Sequence, residues 1–452
     1  MAAQVATINT ALEAFRDGDK TKFRSMFWTP YKLILTDHRA SSVFDLSTFM
    51  LGPLKSWTTP EIHKDGYIKQ YKTMAKFERT YQALTFGIWG NSLMGLGIGN
   101  AMDLGLIPPW KAPSYVDSSS FTEQDITIRP SYFQPAIAGT LTLPKTSSPD
   151  HKLPAILLVP GSGPIDRDET GGGGKCFKDL AHGLSSSNLI TLRMDKPTTI
   201  ILLKQLLTKT LTLEDEYIHP GLAALRYLAS HPNVDPTRIF ILGHSLGGLV
   251  APRLCRAAAQ ANPRLPIAGL ICCAPSTRSL AQIIARQMRH LNTHFPRADP
   301  AQHDKEMAQY EAVSRLFDTT GGVLGPGDAD PTKDLAVPLP LSYLRDIWEN
   351  DPIAIAKELD VPLLVVQGKA DWQVTVADEY TAWREGLEGS KAKERMEWKL
   401  YDGVGHMLGE VDAVGKVGNF QYAEPWNVKE EVVRDIGGFV RQVSGIGVEG
   451  EQ

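Results

Sequence analysis

Arg238-Ile239-Phe240-Ile241-Leu242-Gly243-His244-Ser245-Leu246-Gly247-Gly248-Leu249 is the stretch from which the rest of the chain is read. Four apolar residues run into Gly-x-Ser-x-Gly, and small and apolar helix-forming residues follow. The pattern is strand, sharp turn, helix, with Ser245 at the apex. A Cβ at Gly243 or Gly247 would collide with the neighbouring strand or helix, so the turn requires glycine on both sides. Such a turn lifts the serine hydroxyl above the sheet edge and leaves the backbone N–H of Leu246 facing a developing oxyanion. A Gly-x-Ser-x-Gly alone is common, and a purely structural turn is the competing reading. The strand before it and the helix after it favour a nucleophile.

A serine hydroxyl is a poor nucleophile until a base takes its proton and an acid orients that base. In this type of fold the order along the chain is nucleophile, acid, histidine. Val361-Pro-Leu-Leu-Val-Val-Gln-Gly368-Lys-Ala-Asp371 supplies a strand, a glycine turn and then a carboxylate. Asp351, Asp360 and Asp378 compete less well, because they precede the strand or fall in a helix. After the last expected strand, Tyr401-Asp402-Gly403-Val404-Gly405-His406 provides the only histidine downstream of Asp371, with two glycines to let the loop curl back. His244 abuts the serine, but its side chain should point the other way, and it is assigned to packing. The remaining histidines have no supporting context. A second oxyanion donor is expected in the loop Val159-Pro160-Gly161-Ser162-Gly163-Pro164, from the N–H of Ser162 with Gly163 a close second. Gly171 to Gly174 does not make a phosphate loop, since Lys175 is followed by Cys176.

The 452 residues suggest a catalytic domain plus an appendage. A 42 % hydrophobic, 22 % charged composition with net charge -4 leaves no basic footprint for nucleic acid or an anionic membrane. The four cysteines (Cys176, Cys255, Cys272, Cys273) follow neither a metal-ligand spacing nor a secreted disulfide framework. The N-terminus lacks the features of a signal peptide, so a cytoplasmic location is expected, and the chemistry needs no metal or organic cofactor. Leu84 to Ile107 is apolar and glycine-rich, but Asn91, Asn100 and Asp103 interrupt it, so it reads as a buried or lid-forming helical segment rather than a membrane span.

Residues 1–118 are expected to form a mainly helical N-terminal domain or cap. Val5, Ile8, Leu12 and Phe15 recur at helical spacing until Asp17-Gly18-Asp19. The aromatics Trp57, Tyr67, Tyr71, Phe77, Tyr81, Phe86 and Trp89 either pack this segment onto the next domain or line an acyl pocket. Pro108-Pro109, Pro113 and Ser118-Ser119-Ser120 mark the linker. Residues 119–275 and 356–446 then carry strand-like runs (Asp125–Arg129, Ala136–Pro144, Leu153–Val159, Asn188–Met194, Ile239–Leu242, Ile267–Cys273, Val361–Val366, Met396–Tyr401). Helical segments alternate with them, which predicts an α/β fold: a mostly parallel central sheet, opened by an antiparallel hairpin, with helices on both faces. Residues 276–355 are expected to be a helical lid insertion above the strand ends.

Gly161-Ser-Gly-Pro-x-Asp166-Arg167-Asp168, Met194-Asp195-Lys196, Val234-Asp235-Pro-x-Arg238 before Gly-His-Ser-Leu-Gly-Gly, Gln367-Gly-x-x-Asp371-x-Gln-Val and the late Gly405-His406 together resemble the α/β-hydrolase serine esterases. More narrowly, they are similar to the dienelactone-hydrolase-like and prolyl-oligopeptidase-like branch, particularly bacterial esterases with an extra N-terminal domain. The resemblance spans roughly residues 122–443. It implies Ser245 as nucleophile, Asp371 as acid, His406 as base, and Ser162 and Leu246 as oxyanion donors, with Asp166, Arg167 and Asp168 bracing the oxyanion loop. Two departures bear on the substrate. Asp195-Lys196-Pro197-Thr198 stands where the family has Asp-Lys-Arg-Gly, followed by the apolar stretch Thr199 to Leu211, and the N-terminal residues do not match the family's extra domain. The texture also resembles filamentous-fungal hydrolases, including those of secondary metabolism. The expected activity is cleavage of a small-molecule carboxylic ester through an acyl-serine. The alternatives are thioester cleavage or acyl transfer on a polyketide-like substrate by the same three side chains, and a non-catalytic binding protein of the same fold.

Overall fold

The computed structural model describes residues 2–32, 35, 44, 47, 51–78, 81–99, 102, 104–130, 134–198, 211–294, 300–325, 328, 330–332, 340–411 and 425–446. The chain opens with the expected helix, Ala2–Arg16, whose Ile8, Ala11 and Leu12 are buried. Two short helices follow, Lys20–Ser25 and Thr29–Lys32, and beyond them the expectation of a mainly helical N-terminal domain fails. Five strands follow: β1 (Leu54–Trp57), β2 (Glu61–Lys64), β3 (Lys69–Phe77), β4 (Tyr81–Trp89) and β5 (Ser92–Gly99). They form an antiparallel sheet in the order β1-β3-β4-β5, with β2 also on β3. The reason lies in a two-residue period. Tyr71, Thr73, Ala75 and Phe77 fall on one face of β3, as Leu84, Phe86 and Ile88 do along β4, and all are buried. Leu84 to Gly99 is therefore two strands of a hairpin, not a helical segment, turning at Gly90 with φ +60°. Asn100 and Asp103 lie outside the described residues. Tyr71, Phe77 and Phe86 join Ile8, Leu12, Phe23 and Phe27 in a core belonging to this unit alone, whereas Tyr67 is 87 % exposed.

From Phe121 onward the predicted α/β order appears. An eight-stranded sheet runs β15-β14-β13-β12-β8-β11-β7-β6. Its members are β6 (Phe121–Ile128), β7 (Ile137–Pro144), β8 (Leu153–Val159), β11 (Ile190–Met194), β12 (Val234–His244), β13 (Gly269–Cys273), β14 (Leu363–Gly368) and β15 (Met396–Tyr401). The short β9 (Thr170–Gly171) and β10 (Gly174–Lys175) pair only with each other. β6, β7 and β11 are joined antiparallel, and every remaining contact is parallel. β8 is buried at all of its seven positions, as a strand covered on both faces must be. Its side chains alternate between two cores. Ile156 and Leu158 meet the helices Cys176–Ser186 and Glu430–Val443 on one face. Ala155, Leu157 and Val159 meet His219–Ser230 and Leu246–Gln260 on the other.

The described part of residues 276–355 holds the helices Leu280–His294, Pro300–Thr320, Leu341–Glu349 and the start of Pro352–Glu358, joined by turns and loops. Ala281, Ala285, Met288, Val313 and Phe317 give the insertion a small core of its own. Most of the apolar stretch after Thr198 lies outside the described residues, Leu211 excepted, as do 295–299 and 333–339 of the insertion. Among the described residues, no helix is long and apolar enough to cross a membrane.

Candidate active site

β12 ends at His244, and the chain reverses at Ser245 with φ 55° and ψ -118° before the helix Leu246–Gln260 begins. A non-glycine residue in that region is strained and is held there by its surroundings. Those surroundings leave no alternative path. A Cβ on Gly243 would come within 2.2 Å of the Gly247 carbonyl oxygen, and one on Gly247 within 2.2 Å of the Val159 carbonyl oxygen. The parallel register sets Gly243 beside Val159 and His244 beside Cys273, so the turn emerges at the strand C-terminal edge, where open α/β sheets bind ligands.

Two loops at the same edge reach the serine. Asp371 follows β14 and His406 follows β15, and both are buried. His406 Nε2 lies 3.1 Å from Ser245 Oγ, and its Nδ1 lies 2.8 Å from Asp371 Oδ2. Asp371 Oδ1 accepts the backbone N–H groups of Gln373 (2.8 Å) and Val374 (2.9 Å). Oδ2 also accepts from Gln367 Nε2 at 3.0 Å. An ionised carboxylate only accepts, so His406 donates from Nδ1 and turns the lone pair of Nε2 toward the serine hydroxyl.

Ser162, Gly163, Leu246, Ser245 and His406 all line one cavity of about 420 Å³. Its walls are chiefly apolar, with Leu211, Leu280, Ile283, Ile284 and Val374 among them, while Thr198, Glu216 and Tyr343 form a polar part. No described residue of the N-terminal unit lines it, so an acyl pocket walled by the N-terminal aromatics is not what forms.

Residues 156–414, more than half of the chain, match the Alpha/beta hydrolase family. The chain belongs to that family. Esterase EstD of Thermotoga maritima is 31 % identical over 327 residues, which cover 72 % of this chain and 69 % of that one. Among solved structures the chain is similar to Est1E from Butyrivibrio proteoclasticus, with 18 % identity, TM-score 0.41, and coverage of 71 % of this chain and 99 % of the other. It is also similar to a puromycin-hydrolyzing peptidase of Mycobacterium tuberculosis, at 15 % identity and TM-score 0.44. There the match covers 88 % of this chain but only 49 % of the peptidase.

The loop of this alpha/beta hydrolase that carries Ser162 is tightly tethered. Arg167 donates to Asp195 from Nε and Nη2 (3.0 Å each) and to the Gly139 carbonyl (2.9 Å). Asp166 accepts from the N–H and hydroxyl of Thr170. Asp168 binds Arg193 (2.8 Å) and Lys175 (3.0 Å). Burial opposes its charge, yet those two cations hold its pKa below the ordinary value. Several polar residues at the site were not singled out from sequence. Glu169 accepts the Gly161 N–H at 2.8 Å and faces His244 Nδ1 at 2.9 Å. Lys196, which keeps the lysine of the esterase motif just before the departure at Pro197-Thr198, is buried. Its Nζ reaches the Gly161 carbonyl (2.9 Å), Tyr217 Oη (2.8 Å) and Glu216 (2.9 Å). His244 is not mere packing: its Nε2 holds the backbone carbonyl of His406 at 2.8 Å. Burial works against a charge on His244, and Glu169 more than offsets it, so the pKa is raised. For Lys196 burial prevails over Glu216 and lowers the pKa. Among the described residues, no group of three or more His, Cys, Asp or Glu side chains is arranged to hold a metal ion.

Proposed function

We propose that this alpha/beta hydrolase cleaves carboxylic esters through an acyl-serine intermediate. The observation that carries the reading is His406 lying 3.1 Å from Ser245 Oγ and 2.8 Å from Asp371. His406 Nε2 takes the Ser245 proton as Oγ attacks the ester carbonyl. The alkoxide that forms is met by the N–H groups of Leu246 and Ser162, with Gly163 the close second to Ser162. Each such donor commonly contributes about 3 kcal/mol to the transition state. The imidazolium then protonates the departing alcohol, and a water activated by the same nitrogen hydrolyses the acyl-serine. The relative named as an esterase supports ester chemistry.

The insertion 276–355 acts as a lid in this reading, because Leu280, Ile283 and Ile284 on its first helix wall the cavity above Ser245. An apolar cavity of about 420 Å³ suits an acyl group of moderate size. The four free, buried cysteines suit a reducing, cytoplasmic setting. The test is turnover of p-nitrophenyl esters of graded chain length beside acyl-CoA thioesters, with and without an added alcohol. Ester turnover that vanishes in Ser245→Ala is expected. Cleavage of acyl-CoA alone would shift the reading to a thioesterase, and ester products formed only with the alcohol would shift it to acyl transfer.

A further inference from the structure

Gly161 immediately precedes the N–H assigned to the oxyanion, and both polar atoms of this glycine are gripped by buried side chains. Its N–H donates to Glu169 Oε1 at 2.8 Å. Its carbonyl accepts from Lys196 Nζ at 2.9 Å and from Tyr217 Oη at 2.8 Å. In a planar trans peptide the carbonyl of one residue and the N–H of the next point in opposite directions. Holding the Gly161 carbonyl against Lys196 and Tyr217 therefore fixes the direction of the Ser162 N–H, and Ser162 lies on the cavity wall beside Ser245.

The other half of the grip fixes His406. His244 faces Glu169 Oε1 from Nδ1 at 2.9 Å and the His406 carbonyl oxygen from Nε2 at 2.8 Å. Oε1 already receives the Gly161 N–H, and a backbone carbonyl can only accept. With Glu169 ionised, both ring nitrogens of His244 donate, which makes the ring an imidazolium. It is enclosed with Glu169, both side chains being 2 % exposed, and its centroid lies 4.9 Å from that of His406. Lys196 is paired likewise with Glu216, at side-chain exposures of 2 % and 3 %. Glu216 in turn accepts from Thr198 and from Tyr343 of the insertion.

We infer that Glu169, His244 and Lys196 are positioning residues: two buried ion pairs clamp Gly161 from both sides and tie the oxyanion loop, the serine turn and the histidine loop into one preset unit. The inference rests on reading Ser245 and His406 as the reacting groups. The clamp acts through Ser162 and His406; of the four ion-pair residues only Glu216 reaches the cavity wall. Preset donors need no reorganisation when charge develops, and a misplacement of about 1 Å can cost on the order of 100-fold in rate.

The test combines nitrogen NMR of the full chain, labelled with ¹⁵N in histidine, with kinetics of Glu169→Gln and of the charge-balanced double variant Lys196→Met/Glu216→Gln. At neutral pH, His244 should carry a proton on both ring nitrogens in the unaltered protein and on one in Glu169→Gln. Folded variants should lose about 10- to 100-fold in kcat on a neutral p-nitrophenyl ester, Glu169→Gln at nearly constant KM. Affinity for an alkylboronic acid, which forms a tetrahedral adduct on serine, should fall by the same factor. A merely structural role would lower the unfolding midpoint and leave the boronic acid affinity intact. A singly protonated His244 in the unaltered protein, or folded variants with unchanged kcat, would overturn the inference. Should the variants not fold, the nitrogen spectrum of the unaltered chain decides by itself. If the unaltered chain turns over no ester, the reading of the reaction fails separately, because the protonation of His244 is read without activity.

Discussion

Asp371 makes four hydrogen bonds with two oxygens, and the division between them predicts what its amide would do. In Asp371→Asn the remaining oxygen stays with the N–H groups of Gln373 and Val374, so the new NH₂ faces His406 Nδ1. His406 must then accept at Nδ1 and protonate Nε2, which leaves no lone pair for Ser245. We expect kcat to fall on the order of 10⁴-fold. The same NH₂ opposes Gln367 Nε2, a loss of about 1–3 kcal/mol in a denaturant titration, too small to account for the kinetic effect through unfolding. Glu123 makes a different prediction. Burial opposes its charge, but His182 and Arg193 outweigh it and lower its pKa from 4.5 to about 2. A depressed carboxyl contributes stability that is full above the unfolded value and drains as pH falls through the folded one. Unfolding free energy should therefore decline between pH 4.5 and about 2, and Glu123→Gln should flatten that limb. Asp371 and His406 were legible in the sequence because each follows a strand and a glycine turn. Glu169, His244 and Lys196 were not, since what matters is the partner each meets across 75 or 35 positions of chain. The positive φ of 50° at Glu169 leaves no trace in the residue types around it.

Among the elements, the turn between β12 and its helix was read from local sequence because the Gly-x-Ser-x-Gly pattern sits between a strand and a helix. The clash at Gly243 is with Gly247 and Gly248 nearby, and that at Gly247 is with the distant Val159 and Pro160. Gly247→Ala would push a methyl group against the Val159 and Pro160 carbonyl oxygens, which belong to a central strand and cannot retreat. We expect a loss of at least about 3 kcal/mol and of all ester turnover, measured by thermal unfolding and by rate. Unchanged stability would mean that the turn is looser than described. The N-terminal sheet shows the opposite case. Strands β3 to β5 carry Lys, Gly and Ala among their apolar residues, so a helical start at Val5, Ile8 and Leu12 suggested more helix beyond it. The two-residue burial of β3 and β4 is evident only once each strand lies beside its neighbour.

Over the whole molecule, the separate core of the N-terminal unit implies a separable task. The described residues among 2–99 close on their own apolar cluster, and none of these lines the cavity above Ser245. The segment after residue 104 is instead fastened to the catalytic sheet. Trp110 donates to Asp179 (2.8 Å) and Tyr115 to the Val428 carbonyl (2.8 Å). A chain beginning at residue 104 should therefore keep kcat/KM on small esters within about threefold, as steady-state kinetics would report, and a much larger loss would give the N-terminal unit a part in the site. In the sequence the linker residues set the boundary at 118/119, whereas Trp110 and Tyr115 already hold to the large sheet's side, and the pairing across the sheet had to be seen. Ser245 and His406 are 161 positions apart and meet only because the sheet brings the ends of β12 and β15 to one edge. The most direct measurement is mass spectrometry after treatment with a fluorophosphonate, which bonds covalently to an activated serine. The account predicts one adduct, on the Ser245 peptide, lost in Ser245→Ala and greatly slowed in His406→Ala. An unmodified Ser245 in the folded protein, or an adduct that survives either substitution at the original rate, would contradict it.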